Sequence, residues 1–391
     1  MRLVDTIVKS SMGRLALHHL CTSYSVEVNR ITLAALEDGL AGDPGRGAAL
    51  LERLQTRGLV DPGVFAPVPQ RTASDVVSIE LEPISQCNLR CRHCYVRTSG
   101  DTMTEATFAA VLEGAARLGA VELAFNGGEP LLHEHCLDWI ERARQAELRV
   151  VLFSNATRID AASAERLAAA RVAKVVVSLD GFQHEHDALR GKGAFEQAER
   201  GLRHLTRAGV AVWITTLVHP ANYTSVDALT RHAIGSLGVH GVRRTMVMPL
   251  GRAADRPELA VDDAEFRRLY EGTVECGVGR GAPMLPCAAG VDKLFVRADG
   301  EVHACRLFAQ AAPALGSLAQ ASLQEIYRGP RARGWPYRGF LRSELDECAG
   351  CSHLERCAGG CRARAWLVSG NPRGRDPSAC RRLRAACPTR P

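Results

Sequence analysis

The sequence predicts an α/β protein: a partial barrel of six β/α units, a small α+β module before it and a cysteine-rich domain after it. Three observations carry this. Short Val/Ile/Leu-rich runs alternate with Ala-, Leu- and Arg-rich helical stretches between Val76 and about Arg280, at the spacing of β/α units. Residues 1–70 have a mixed pattern of their own, and from 281 to 391 the periodicity gives way to Cys, Gly and Arg.

The first module opens with the alternating stretches Arg14 to His19 and Tyr24 to Val28. It continues in two helical patterns, Ile31–Leu40 and Arg46–Gly58, and ends at Asp61-Pro62-Gly63. That order reads as a small winged-helix-like unit followed by a linker, Phe65 to Ser74, with two prolines. The strands expected in the central region are Ser78–Ile84, Val121–Phe125, Val150–Ser154, Lys174–Leu179, Ala211–Leu217 and Val242–Met248. Each is a short Val/Ile/Leu-rich run, as expected for parallel strands buried on both faces. Thr104–Leu118 and Ala161–Ala170 are examples of the intervening helices. In such a barrel the chemistry is expected at the C-terminal ends of the strands. The tail has too little apolar sequence for a core of its own and is expected to be held together by metal.

Composition narrows the function. At 391 residues, 46% hydrophobic and 24% charged, the chain resembles an ordinary soluble protein. It has no run of about 18 apolar residues, so no membrane span is expected. Polar residues are scattered through Met1 to Leu20 where a signal peptide needs an apolar core, which predicts a cytoplasmic protein. The net charge is +6, but only Lys9, Lys174, Lys192 and Lys293 are lysines, so most basic residues are arginine. With the Ala-rich helices this looks like the imprint of a GC-rich genome, and no nucleic-acid partner is expected from a charge spread along the chain.

The fourteen cysteines say more. In a cytoplasmic chain, clustered cysteines point to metal or redox sites rather than disulfides. Three fall between Cys87 and Cys94 and nine between Cys276 and Cys387, while Cys21 and Cys136 stand alone as small apolar side chains. Directly after the first strand stands Cys87-Asn88-Leu89-Arg90-Cys91-Arg92-His93-Cys94-Tyr95. Three thiolates at C-x₃-C-x₂-C spacing on one loop can hold three irons of a 4Fe–4S cube and leave the fourth open. Structural zinc, with His93 as a fourth ligand, is the alternative.

The spacing, the place at the end of the first strand and the aromatic Tyr95 resemble the signature of the radical S-adenosylmethionine (SAM) superfamily. The resemblance implies a radical SAM barrel in which Cys87, Cys91 and Cys94 ligate a 4Fe–4S cluster. The open iron then takes the amino and carboxylate groups of SAM, and the Tyr95 backbone lies beside the adenine. Gly127-Gly128-Glu129-Pro130, at the end of the second strand, is similar to the family's motif for the methionine amino group. Glycines allow close backbone approach and a carboxylate suits an ammonium. Ser178, which ends the fourth strand, and Arg190 twelve residues on are spaced like a pair that contacts ribose and carboxylate in related maturases. Ser154 and Asn155 after the third strand and Met248 near the end of the sixth suit a polar contact and an apolar adenine wall; ordinary strand-end residues explain them equally well. Glu82 and Arg244 lie on strands that line the barrel, where they touch substrate or serve structure.

The tail repeats the exercise. Cys287 is followed after twelve residues by Gly300 and after four more by Cys305; then come Cys348-x₂-Cys351-x₅-Cys357-x₃-Cys361 and finally Cys380. The four-cysteine block alone would also suit a zinc knuckle. Behind such a barrel, the whole series resembles the SPASM domain, which implies two auxiliary 4Fe–4S clusters and three in all. By the family's interleaved ligation, Cys348, Cys351, Cys357 and Cys380 hold the outer cluster and Cys287, Cys305 and Cys361 the inner one. Cys276 or an open iron completes the inner set, and Cys387 is left free.

The resemblance implies that SAM, reduced through the first cluster by a flavodoxin or ferredoxin, yields methionine and a 5′-deoxyadenosyl radical that takes a hydrogen atom from substrate; the auxiliary clusters offer the electron a way out. SPASM-bearing relatives mostly modify ribosomally made peptides, so a carbon–carbon or thioether cross-link in a precursor peptide is the leading expectation. The stretch Thr32–Gly39 with Leu50–Val60 looks like the PqqD-like domain that holds a leader peptide as an added strand; a bare winged-helix cap fits it nearly as well. Arg306 stands where anaerobic sulfatase maturases carry an acid, which argues against that activity. The alternatives are a tailoring enzyme for a small molecule or tetrapyrrole and, from another class, an iron–sulfur electron carrier or scaffold. Gly127–Pro130, Ser178 and Arg190 speak against the carrier.

Overall fold

The computed structural model describes residues 76–262 and 289–386 apart from 97, 311, 337–343, 358 and 372, together with 264, 265, 268, Cys287 and the backbone of six short strands before residue 72. Four of these strands form one sheet in the order Ser25–Val28, Arg14–His19, Thr6–Ser11, Gln70–Arg71; the first three pair antiparallel and the last is parallel to its neighbour. The helical patterns at 31–40 and 46–58, and Cys21, Cys276 and Cys387, lie outside the described residues.

The main body is one nine-stranded sheet. Six strands run through the barrel region: β1 (Ser78–Leu81), β2 (Glu122–Phe125), β3 (Arg149–Ser154), β4 (Lys174–Ser178), β5 (Val212–Val218) and β6 (Gly241–Met246). They pair parallel in chain order, with Ile79 opposite Leu123 and Val177 opposite Ser154. The crossovers are helices α1 (Glu105–Arg117), α2 (Cys136–Gln145), α3 (Ala161–Ala169), the pair α4 (Gln183–Arg190) and α5 (Ala194–Arg207), and α6 (Val226–Gly235). Their starts are legible: Thr104 caps α1 by accepting from the Thr107 N–H at 3.1 Å, and Asp160 and Ser163 form a capping box at α3. The core beneath is apolar on both faces of the strands, with Phe108 stacked on Trp139 at 4.4 Å between α1 and α2.

The first strand stops at Leu81, three residues short of the expected end. Pro83 has no N–H to continue the ladder, and the chain turns there toward the cysteine loop.

On the other side of β1 the sheet continues into the tail. Strand β7 (Lys293–Val296) runs parallel to β1, with Leu294 opposite Ile79, and β8 (Glu301–His303) and β9 (Gly316–Ser317) follow antiparallel. Helices α7 (Leu323–Arg328), α8 (Arg362–Ser369) and α9 (Pro377–Ala386) complete the tail. Phe308, Trp335 and Trp366 pack together there, with Trp335 and Trp366 stacked at 6.2 Å. Among the described residues no helix is long and apolar enough to cross a membrane.

Candidate active site

The strand ends converge on a cavity of about 480 Å³, within the range of small-molecule and cofactor sites. Cys87, Cys91 and Cys94 line it from the loop after β1, opposite Gly127 and Gly128, Ser154 and Asn155, and Ser178 with Arg190; Tyr95 and Met248 close it. The spacing of these residues in the chain thus becomes proximity in space.

The cysteine loop is held from several sides. Asn155 donates its amide to Asn88 Oδ1 at 3.0 Å and to Cys87 Sγ at 3.7 Å, and the Leu89 N–H points at the same sulfur at 3.4 Å. Arg190 Nη1 stands 3.9 Å from Cys91 Sγ. Behind the loop, Arg252 donates to the Cys91 carbonyl at 2.8 Å and its N–H to the Cys94 carbonyl at 2.9 Å. Gly251 makes this clasp possible: at φ +55° a Cβ would meet Cys94 O and Tyr95 Cα at 2.6 Å. Gly128 is equally constrained, because a Cβ there would lie 1.8 Å from the Gln86 carbonyl oxygen.

Glu129 and Pro130 do not line the cavity. Glu129 is fully buried behind its wall and accepts from Ser154 Oγ at 2.8 Å, the Asn155 N–H at 2.7 Å and the Leu131 N–H at 3.3 Å. Burial pushes its carboxyl up to about 7 against these hydrogen bonds. The glutamate thus ties the end of β2 to the end of β3, and the Ser154 hydroxyl is spent on it.

Arg190 is bound to Asp180, two residues past the end of β4. Its Nε donates to Asp180 Oδ2 at 2.5 Å, and Asp180 Oδ1 accepts from the Leu217 N–H at 2.7 Å. Burial alone would raise the Asp180 carboxyl, but Arg190 and the neighbouring histidines bring it down to about 2. His93, inside the cysteine motif, is driven down to about 3 by burial and then by Arg190.

The loop thiols suit an iron site. Burial first, opposed at Cys91 by Arg190, raises that thiol to about 11, and burial raises Cys87 as well. Buried neighbouring thiolates need a cationic centre, and the N–H groups aimed at sulfur fit ligands of a cluster. Among the described residues no three His, Cys, Asp or Glu side chains converge tightly enough for a single metal ion.

In the tail, Cys287, Cys305 and Cys361 lie within electrostatic reach of one another, and burial lifts Cys305 to about 12. A second group gathers Cys348 with Cys351 and Cys380, and Cys357 with Cys348 and Cys380. Between the groups Arg362 is fully buried and donates to the Gly374 carbonyl at 2.6 Å and to the Gly359 carbonyl.

The tail also enters the barrel mouth. Arg306, next to Cys305, donates to Asn126 Oδ1 and to the Gly127 carbonyl at 2.6 Å, and its guanidinium lies 5.4 Å over the Tyr95 ring. Glu82 stays outside the cavity, accepting from the Ala298 N–H at 3.4 Å behind Arg306, whereas Arg244 lines it while paired with Asp227.

Comparison with known proteins agrees with this geometry. The Radical SAM superfamily matches residues 81–233, and the SPASM iron–sulfur cluster-binding domain matches residues 287–352. The chain thus carries a radical SAM domain followed by a SPASM domain. Among the relatives of this radical SAM enzyme are the pre-heme d1 synthase of Dinoroseobacter shibae, 27% identical over 81% of this chain and 89% of that protein, and the mycofactocin maturase MftC of Mycolicibacterium smegmatis, 28% identical over 80% and 86%. The AdoMet-dependent heme synthase of Nitratidesulfovibrio vulgaris is 27% identical over 80% of this chain and 94% of its own length. The fold is shared with Streptococcus suis SuiB bound to its precursor peptide SuiA, at a TM-score of 0.70 and 15% identity, covering 97% of this chain and all of that one. It is shared also with anSMEcpe with bound AdoMet, at 0.66 and 19%, covering 79% and 92%. The radical SAM domain binds SAM and a 4Fe–4S cluster, and the SPASM domain is of the iron–sulfur kind.

Proposed function

We propose that this radical SAM enzyme is a maturase of a ribosomally made precursor peptide, forming a carbon–carbon or thioether cross-link. The observation that carries the reading is the likeness to SuiB over 97% of the chain, more than residues 76–391 alone supply, so that it reaches into the N-terminal module. That module's sheet ends in the strand Ser25–Val28, an edge suited to an added leader strand. The relative MftC is named a maturase.

In this reading Cys87, Cys91 and Cys94 hold the SAM cluster; Cys348, Cys351, Cys357 and Cys380 hold one auxiliary cluster; Cys287, Cys305 and Cys361 hold the other. Cluster and SAM together supply a one-electron cleavage that ends in hydrogen-atom abstraction. The chain's own residues do the positioning. Asn155, Leu89 and Arg190 direct donors at the loop sulfurs, and Gly127 and Gly128 let the β2 end pack against the backbone that leads into the cysteine loop. Asp180 keeps Arg190 in place beside Cys91. A flavodoxin or ferredoxin supplies the electron, and the tail clusters take one away from the product.

Co-expression with a short peptide gene beside its own, followed by mass spectrometry, tests the proposal. Loss of two hydrogens per modification supports it; an unchanged peptide from an enzyme that cleaves SAM overturns it. The heme synthases among the relatives favour a second reading, a tetrapyrrole-tailoring enzyme, which the unchanged mass would bring forward.

A further inference from the structure

The candidate cofactor contacts use one side of the cavity: the cysteine loop and the ends of β2, β3 and β4, with Met248. Arg190, which lines that side, is paired with Asp180. The rim supplied by β6 and the tail carries four arginines, Arg243, Arg244, Arg306 and Arg364, and among the described residues no lining carboxylate, while Arg306 reaches across to Gly127. Two are already matched from outside, Arg244 by Asp227 and Arg364 by Asp376 at 2.6 Å. Arg243 and Arg306 are not: among the described residues no carboxylate is in ion-pair contact with either.

Arg306 is the more telling of the two. Its hydrogen bonds go to an amide and a carbonyl, its Nε is buried without a partner, and it is fixed over Tyr95. The acids nearest it have other contacts: Glu80 accepts from Asn126 at 2.8 Å and pairs with Lys293 at 3.1 Å, and Glu82 accepts from the Ala298 N–H at 3.4 Å. A buried guanidinium with no carboxylate in contact gains from a ligand that brings one, and its fork matches a carboxylate.

We propose that this rim is the substrate subsite and that it recognises carboxylate groups, with Arg306 at its inner end and Arg243 at its mouth. The proposal rests on the reading of the chain as a substrate-modifying radical SAM enzyme and names the chemistry of what it takes. The acid comes from side chains or the C-terminus of a peptide, or from the propionates of a tetrapyrrole.

The test uses the holoenzyme with SAM and two matched pairs of probes. One is coproporphyrin III against its tetra-amide; the other is a fluorescein-labelled peptide Glu-Gly-Tyr-Glu against Gln-Gly-Tyr-Gln-amide. Fluorescence titration is expected to show at least one acid binding roughly ten- to a hundredfold tighter than its amide, the strength of a charge-assisted contact. The preference should fall by a similar factor in R306Q and in R243Q. Discrimination in the porphyrin pair alone assigns a tetrapyrrole source, and in the peptide pair alone a peptide source. Equal binding of acid and amide in both pairs, or a preference that survives in R243Q, overturns the proposal. Arg243 is exposed, so R243Q decides the matter even where R306Q disturbs the fold. SAM cleavage read on the same preparation separates the two claims, since cleavage without discrimination removes the carboxylate subsite and leaves the enzyme reading standing.

Discussion

At the scale of single residues, Asp180 and Arg190 depend on each other. The Asp180→Asn variant leaves a guanidinium 10% exposed without its carboxylate partner, and the expected loss is about 3 kcal/mol, read from urea unfolding at pH 7. The pH dependence follows from the same group. Its folded value near 2 lies below the ordinary 3.8. Its stabilisation is therefore complete above pH 3.8 and is lost as pH falls toward 2. His186 contributes with the other buried histidines to a second acid limb: burial holds it down to about 4, and its Nδ1 accepts from the Asp180 N–H at 3.1 Å. Because the unfolded imidazole protonates near 6.5, stability from this group is present above that pH and is lost as pH falls from 6.5 to about 4. His186→Gln should flatten the fall in melting temperature across that window while leaving the lower limb; an unchanged slope contradicts the assignment. These contacts were only partly legible. Ser178 and Arg190 stand out by spacing, but the aspartate between them acts through a buried pair that spacing does not show. The motif suggests that Glu129 faces an ammonium, whereas its oxygens join two strand ends.

At the scale of elements, the cysteine loop is positioned by the segment after β6. Gly251→Ala places a Cβ against the Cys94 carbonyl and Tyr95 backbone at a positive φ, so the loop must shift. Misplacement on that scale is expected to lower SAM cleavage about a hundredfold, measured as 5′-deoxyadenosine formed at equal iron content; a rate within twofold of the parent contradicts the clasp. The six strands were legible because strands covered on both faces read as short apolar runs. Their ends were less so, since Pro83 rather than hydrophobicity stops β1. The Gly251–Arg252 clasp and the reach of Arg306 to Gly127 were hidden, because they join residues 161 and 179 positions apart.

At the scale of the whole molecule, barrel and tail share one sheet. Ile79 and Leu81 are fully buried, and the β1 edge pairs with β7. Residues 76–280 expressed alone therefore expose an unpaired apolar edge and are expected to aggregate; a soluble monomer with a cooperative melt would contradict this. The cysteine pattern announced two separate redox regions, and the fold adds that the second is built directly onto the first. The measurement that tests the account most directly is anaerobic incubation of the cluster-loaded, dithionite-reduced protein with SAM, followed by chromatography. The account predicts 5′-deoxyadenosine and methionine in equal amounts, and none from the variant with Cys87, Cys91 and Cys94 changed to Ala, which keeps its tail iron. No cleavage by the fully loaded parent, or undiminished cleavage by that variant, would contradict it.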